Sequence, residues 1–228
     1  MSKKFQSELV TTKDGSHTLR IKGHDEQYHS MNGALQESMH VFLNRGFGFF
    51  EPTPDPLHIL EVGLGTGLNA LLTARMAVEK NIKVVYQALE PYPLTLRVLE
   101  KLNYPQLFAE PWAETAYHHI HSAPTNTYSD FCGLFYMRSV HEKVQDVVLE
   151  KNKHHLVYFD AFGPDTQPEM WSEQIFEKLY GSMRGGGVLV TYSAKGAVRR
   201  ALKAAGFQVE KLPGPPGKRE MTRALKTV

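Results

Sequence analysis

The sequence predicts an α/β fold: a mostly parallel, doubly wound sheet that ends in an antiparallel hairpin, with a small N-terminal appendage of a β-hairpin and a helix. Three observations predict it. From Leu57 onward, short apolar runs alternate with helix-length amphipathic segments, which requires crossover connections between parallel strands. The last two apolar runs, FQVEKL and MTRALK, are separated only by PGPPGKRE, so they form an antiparallel pair. The segment EPTPDPLH, with Pro52, Pro54 and Pro56, can be neither helix nor central strand and divides an appendage (residues 1–50) from the main domain (residues 51–228).

Taken in order, LVTT and HTLRIK flank Lys13-Asp14-Gly15-Ser16 and read as a hairpin. Residues 31–44 read as a helix, with Leu35, Met39, Phe42 and Leu43 at helical spacing and Gly46 and Gly48 ending it. The main domain then runs strand LHILEV, helix 68–80, strand VVYQAL, helix 93–102, and an irregular stretch over 105–130. Strand FCGLFY, helix 140–151, strand HLVYFDAF, helix 172–184, strand VLVTYS, helix 195–205 and the closing hairpin complete it.

A chain of 228 residues with 42% apolar content can bury a substantial core, which excludes general disorder. Cys132 is the single cysteine, so an internal disulfide framework and a cysteine-based zinc site are excluded, and a reducing compartment, the cytoplasm, is expected. No run of 18 apolar residues occurs, and MSKKFQSELV lacks an apolar signal core, so the expectation is a soluble protein that is neither exported nor bound to a membrane.

The richest signal is the segment from His58 to Gly67. Its glycines, Gly63, Gly65 and Gly67, sit where a strand turns into a helix whose apolar face carries Leu68, Leu71, Leu72 and Met76. Such a turn lets a ligand approach the backbone closely and presents free N–H groups to it. Leu68 occupies the place of the third glycine of a pyrophosphate fingerprint, and Glu61 would repel a diphosphate. A carboxylate there suits a cationic ligand instead, and S-adenosylmethionine carries a sulfonium and an ammonium. Glu90, at the end of the second strand, is placed to accept hydrogen bonds from ribose hydroxyls, a device that NAD enzymes share. The plainer alternatives are a glycine turn that binds nothing and a solvated strand-end glutamate.

The strand His155–Phe159 delivers Asp160 to the carboxyl edge of the sheet, near the switch point and hence near Gly63. Phe162, Gly163, Pro164, Pro168 and Trp171 make the following loop rigid and aromatic, able to wall a planar group. A carboxylate beside a methyl sulfonium fits an amine acceptor, because an alkylamine is mostly protonated at neutral pH and must lose a proton before it attacks. Asp160 is therefore the catalytic candidate, with transfer driven by positioning. An Asp that only caps the next helix is the bland alternative.

Several stretches together resemble the tRNA 5-aminomethyl-2-thiouridine methyltransferase family, the MnmD type that also forms one half of the bifunctional enzyme MnmC. They are Asp14-Gly15-Ser16 with Tyr28-His29-Ser30, GALQESMHVFL, ILEVGLGTGLNALL, Glu90-Pro91-Tyr92-Pro93-Leu94, YFDAFGPDTQPEMW, and the run from Gly185 to Met221. The resemblance implies a Rossmann-like S-adenosylmethionine-dependent methyltransferase that methylates the amine of 5-aminomethyl-2-thiouridine at the wobble position of tRNA, giving 5-methylaminomethyl-2-thiouridine. It also implies Gly63, Gly65, Gly67 and Glu90 as cofactor contacts, Tyr28 as a pocket residue, and Asp160 and Phe162 at the reacting centre. One segment departs from the pattern: where such enzymes often carry a Gly-Asp pair that reaches the adenine amino group, Met137-Arg138 stand here. No room remains for the FAD-dependent oxidoreductase half of MnmC, so the expectation is a stand-alone, monomeric enzyme, with any oxidoreductase acting upstream as a separate protein.

The formal net charge of +2 hides a split. From Lys195 to Val228 there are nine basic residues, among them Lys195, Arg199, Arg200, Lys218 and Arg219, against Glu210 and Glu220, a charge of +7, and the rest of the chain sums to −5. A basic C-terminal surface suits phosphate contacts to a tRNA, with Phe162 and Trp171 as stacking candidates for a splayed base. The alternative for Arg199, Arg200 and Lys203 is an ordinary solvated helix face. His118, His119, His121, His154 and His155 lack ligand spacing, and no metal is expected. An aminopropyltransferase, or a non-catalytic module binding S-adenosylmethionine or RNA, remains the competing reading.

Overall fold

The computed structural model describes residues 7–23 and 26–228, so the reading of residues 1–6 as free of a signal core lies outside the described residues. Strands β1 (Ser7–Thr11) and β2 (His17–Ile21) pair antiparallel, Ser7 opposite Ile21 and Thr11 opposite His17. Their turn does more than reverse the chain. Helix α1 (Ala34–Ser38) begins after Gly33, which has no side chain to cap it. The caps come from the hairpin turn, where Ser16 Oγ accepts from the Ala34 and Leu35 N–H groups at 3.1 and 3.2 Å, and Asp14 Oδ2 accepts from Gln36 N–H at 2.9 Å. The helix expected from residue 31 thus starts at Ala34, because the chain turns at Gly33, whose N–H donates to Ser30 O. It continues as a wider π-helical stretch, Met39–Asn44, which ends with Arg45 N–H donating to His40 O.

The main domain follows the predicted alternation. Its elements are β3 (Leu57–Val62), α2 (Leu68–Lys80), β4 (Val84–Leu89), α3 (Leu96–Leu99), α4 (Ala113–Ser122), β5 (Ser129–Phe131) and β6 (Phe135–Val140). Then come β7 (His154–Phe159), α5 (Glu173–Ser182), β8 (Met183–Thr191), α6 (Gly196–Ala204), β9 (Gln208–Pro213) and β10 (Glu220–Leu225). The eight-stranded sheet has the order β5-β6-β4-β3-β7-β8-β10-β9. Pairs β3/β4, β4/β6, β3/β7 and β7/β8 are parallel, while β8/β10 and β9/β10 are antiparallel. This is the Rossmann-like sheet with its closing hairpin, and its order reverses between β3 and β7.

Strand alternation splits the core into two faces. Leu57, Ile59, Tyr86, Tyr158, Val188 and Val190 pack with α2 and α4 on one side. Leu60, Val62, Val157, Phe159 and Leu189 pack with α5 and α6 on the other. Among the described residues, no helix is long and apolar enough to cross a membrane.

Three expectations are corrected. Residues 140–151 form no helix: Val144 and Val147 are buried while Val148 is 92% exposed, so their helix-like spacing serves a loop that crosses the carboxyl edge of the sheet. FCGLFY is not one strand, because Cys132 (φ 57°) and Gly133 (φ 74°) reverse the chain and pair β5 antiparallel to β6. Met137 and Arg138 therefore lie inside β6, opposite Tyr86 and Gln87, and not at its carboxyl end. The helix expected over 93–102 shrinks to Leu96–Leu99, capped by extended Thr95 after Pro93.

Candidate active site

The switch point opens into a cavity of about 590 Å³ lined by the carboxyl ends of β3, β4 and β7, by the N-terminal unit, and by the loops after β6 and β9. Its floor is the glycine turn. Gly63 has φ 92°, and a Cβ there would sit 2.5 Å from the Asp160 carbonyl oxygen. The ends of β3 and β7 are that close because Asp160 N–H donates to Val62 O at 2.9 Å. At Gly65 (φ 50°) a Cβ would press on the Tyr28 ring at 3.0 Å. Gly67 precedes α2 in the left-handed region, against His121.

Glu90 sits beside this floor, with Oε2 accepting from Gly65 N–H at 3.0 Å and Oε1 from Tyr92 N–H at 2.9 Å. Burial holds its carboxyl above the usual range, opposed by those two donors. Tyr28 meets Phe162 edge to face at 5.0 Å, and the two rings form one wall. Burial first, and then Glu90, push the Tyr28 hydroxyl up to about 12, so it stays protonated at neutral pH.

Asp160 faces the cavity from the end of β7. Its Oδ2 accepts from Asn69 Nδ2 at 2.8 Å, and the same nitrogen donates to Glu61 Oε1 at 3.0 Å. Burial and the nearby Glu37 raise the Asp160 carboxyl to about 7, against the opposing effects of the Asn69 hydrogen bond and Lys218. Glu61 is fully buried behind it and does not line the cavity. Among the described residues its Oε2 has no hydrogen-bond partner, and burial drives its carboxyl well above the usual range, against the Asn69 hydrogen bond. The sequence-based expectation of Glu61 as a cofactor contact is thereby corrected: the side chain lies outside the cavity, on the core face carrying Tyr86 and Tyr158.

At one end of the cavity the sequence-predicted Lys218 meets Glu37, which the sequence reading did not single out. Glu37, from α1, accepts from Lys218 Nζ at 2.6 Å through Oε1 and from Ser30 N–H at 2.8 Å through Oε2. Lys218 lies 4.1 Å from the centroid of the Tyr192 ring, whose hydroxyl donates to Ala161 O at 2.9 Å. Lys143, Val144, Gln145 and Asp146 close the opposite rim.

The remaining candidates separate. Phe162 lines the cavity, but Trp171 does not: it is 6% exposed, packs on Phe159 and donates from Nε1 to Phe162 O at 2.8 Å. It braces the wall and offers no face for stacking. Arg199 is likewise turned inward, 9% exposed, held by Glu220 at 2.7 Å, Thr222 Oγ1 at 3.1 Å and Met221 O. It ties α6 to β10 and presents nothing to a phosphate. Arg200 is exposed on α6. Lys195, Lys218 and Arg219 line a second, more open cavity of about 520 Å³ that shares Glu26, Tyr192 and Lys218 with the first. Lys195 there pairs with Asp165. Among the described residues, no group of three or more His, Cys, Asp or Glu side chains could hold a metal ion.

A glycine turn that brings the backbone of Gly63 and Gly65 to the cavity, with carboxylates at the ends of β4 and β7, fits an adenosine cofactor bearing an amino-acid tail. The sequence profile of an S-adenosyl-L-methionine-dependent methyltransferase family matches residues 110–227, and the chain belongs to that family, with S-adenosyl-L-methionine as its cofactor. Among curated proteins it is similar to the tRNA 5-methylaminomethyl-2-thiouridine biosynthesis bifunctional protein MnmC of Cupriavidus metallidurans, at 32% identity over 96% of this chain and 34% of that protein. The MnmC of Nitrosospira multiformis is 34% identical over 85% of this chain and 33% of its own length. The chain thus spans about a third of the curated relatives it matches. Among solved structures, MnmC2 from Aquifex aeolicus superposes with a TM-score of 0.80 at 25% identity, covering 99% of this chain and 72% of that one. Spermidine synthase from Thermotoga maritima shares the fold, with a TM-score of 0.58 at 12% identity over 98% of this chain and 69% of that one.

Proposed function

We propose that this methyltransferase transfers the methyl group to the primary amine of 5-aminomethyl-2-thiouridine at the wobble position of tRNA. The observation that carries this reading is Asp160, a carboxylate poised near neutrality at the junction of the glycine floor and the acceptor end. When bound, S-adenosyl-L-methionine supplies the electrophilic methyl group. Gly63 and Gly65 bring the backbone to the cofactor, whereas Gly67, set against His121 and outside the cavity lining, shapes the turn; Glu90 takes the ribose hydroxyls, and Tyr28 with Phe162 walls the pocket. The rim from Lys143 to Asp146 takes the adenine.

Asp160 Oδ2 is engaged by Asn69, which leaves Oδ1 to receive the ammonium proton of the acceptor and release a lone pair. Tyr28, Phe162 and Tyr192 exclude water from that proton transfer. The likeness to proteins named for 5-methylaminomethyl-2-thiouridine biosynthesis supports the substrate, and exposed Lys195, Arg200 and Arg219 are placed to meet phosphates. On this reading residues 1–50 form an appendage that closes the acceptor end over a domain of residues 51–228. The protein acts as a monomer in the cytoplasm, and a separate FAD-dependent oxidoreductase acts upstream.

The aminopropyltransferase reading needs a second carboxylate free to hold a diamine. Glu37 lines the same cavity, but the Lys218 ammonium at 2.6 Å already offsets its charge. The test is incubation with labelled S-adenosyl-L-methionine and tRNA lacking the terminal methyl, followed by nucleoside analysis. Labelled 5-methylaminomethyl-2-thiouridine is expected, and its absence with cofactor binding intact would refute the substrate.

A further inference from the structure

The Lys218–Glu37 pair joins the two ends of the chain at the acceptor end of the cavity. Lys218 belongs to the Pro/Gly loop between β9 and β10, and that loop is anchored on both sides. Gly217 (φ 84°) is pressed against Asn32, and His40 Nε2 meets Pro213 O at 2.8 Å. The ammonium is therefore a fixed group, unlike a surface lysine on a free stem. It is braced by Glu37 and by the Tyr192 ring, with its side chain 34% exposed at the junction of the two cavities.

Charge decides what this end accepts. Glu37 would otherwise attract a second ammonium, as in a diamine, but the Lys218 ammonium at 2.6 Å offsets its charge. Beside it Lys218 presents a cation with donors to spare, since one of its three N–H groups meets Glu37. That group repels a second ammonium and donates to an electron-rich atom. In a pyrimidine carrying an aminomethyl group at C5, the C4 carbonyl oxygen stands next to the amine-bearing carbon.

Resting on the functional reading above, we propose that Lys218, held by Glu37, is a specificity-determining residue that donates to the C4 carbonyl edge of the acceptor pyrimidine and so turns its aminomethyl nitrogen toward Asp160. It reads the base, whereas Lys195, Arg200 and Arg219 meet phosphates.

The test compares wild type, Lys218→Met and Glu37→Gln in tRNA methylation over a range of salt, with cofactor binding measured by calorimetry. Lys218→Met is expected to raise KM for tRNA by about tenfold or more while kcat changes by less than about threefold, since a contact made in both ground and transition state is lost. Cofactor Kd should stay within about twofold, and the slope of log KM against log salt should match wild type. An unchanged KM overturns the proposal, and so does a slope shallower by about 0.7, the mark of one lost single-strand phosphate contact. Should Lys218→Met fail to fold, Glu37→Gln decides: it keeps the ammonium and removes the carboxylate charge that holds it, and a wild-type KM then overturns the role. Wild-type protein that cannot methylate tRNA removes the functional reading and this proposal together. Normal wild-type turnover with unchanged KM in both variants removes this proposal alone.

Discussion

Asn69 Nδ2 donates to Asp160 Oδ2 at 2.8 Å, so the first helical turn after the glycine floor sets the orientation of the carboxylate that faces the cavity. The same nitrogen also holds Glu61 at 3.0 Å. Burial raises both carboxyls it bridges, the enclosed Glu61 well above the usual range and the cavity-facing Asp160 to about 7.

Activity should therefore follow the ionisation of Asp160. With its carboxyl raised to about 7, kcat/KM is expected to climb with pH through that value as the proton-accepting form appears. Asn69→Leu removes a donor that favours the carboxylate, so the rising limb should move to higher pH. A pH–rate profile that is flat between pH 6 and 8, about one unit either side of the expected midpoint, would exclude Asp160 as the proton acceptor.

Asp160→Asn should lower kcat by about 10²–10⁴ while cofactor affinity stays within about tenfold. Collapse of cofactor binding in calorimetry would instead make Asp160 a cofactor ligand. Stability moves the other way. A carboxyl whose folded value is raised from 3.8 to about 7 favours the fold while protonated, and that stability is lost as pH rises through this window. Above pH ~7 the Asn variant should thus be more stable than wild type, by about 2–4 kcal/mol, in denaturant titrations.

Gly65→Ala places a methyl group against the Tyr28 ring at a positive φ, and should weaken cofactor binding by about tenfold or more. Gly63→Ala collides with the Asp160 backbone and should cost about 1–3 kcal/mol of fold stability as well, which thermal unfolding measures.

The two neighbouring arginines of α6 should behave differently. Arg199→Met breaks a buried network to Glu220, Thr222 and Met221, and is expected to lower Tm by about 5 °C without changing the salt dependence of tRNA binding. Arg200→Glu should leave Tm within about 2 °C of wild type and weaken tRNA binding at low salt. Equal effects on Tm would contradict the burial difference between them.

The amino-acid sequence by itself determined the alternation of strands and helices, the glycine turn after LHILEV, and the arrival of Glu90 and Asp160 at strand ends. These follow from local periodicity and from connectivity, which places every parallel strand's carboxyl end on one edge of the sheet. The same local signals misled where spacing imitated a helix over 140–151, and where FCGLFY concealed a hairpin turn at Cys132-Gly133. Only the tertiary structure decided that Trp171 and Arg199 turn inward, that Glu61 is held behind Asn69, and that Glu37 of α1 meets Lys218 of the last loop. Each of those outcomes depends on which elements pack against one another, and contacts between chain-distant residues leave no periodic trace in the segments that make them.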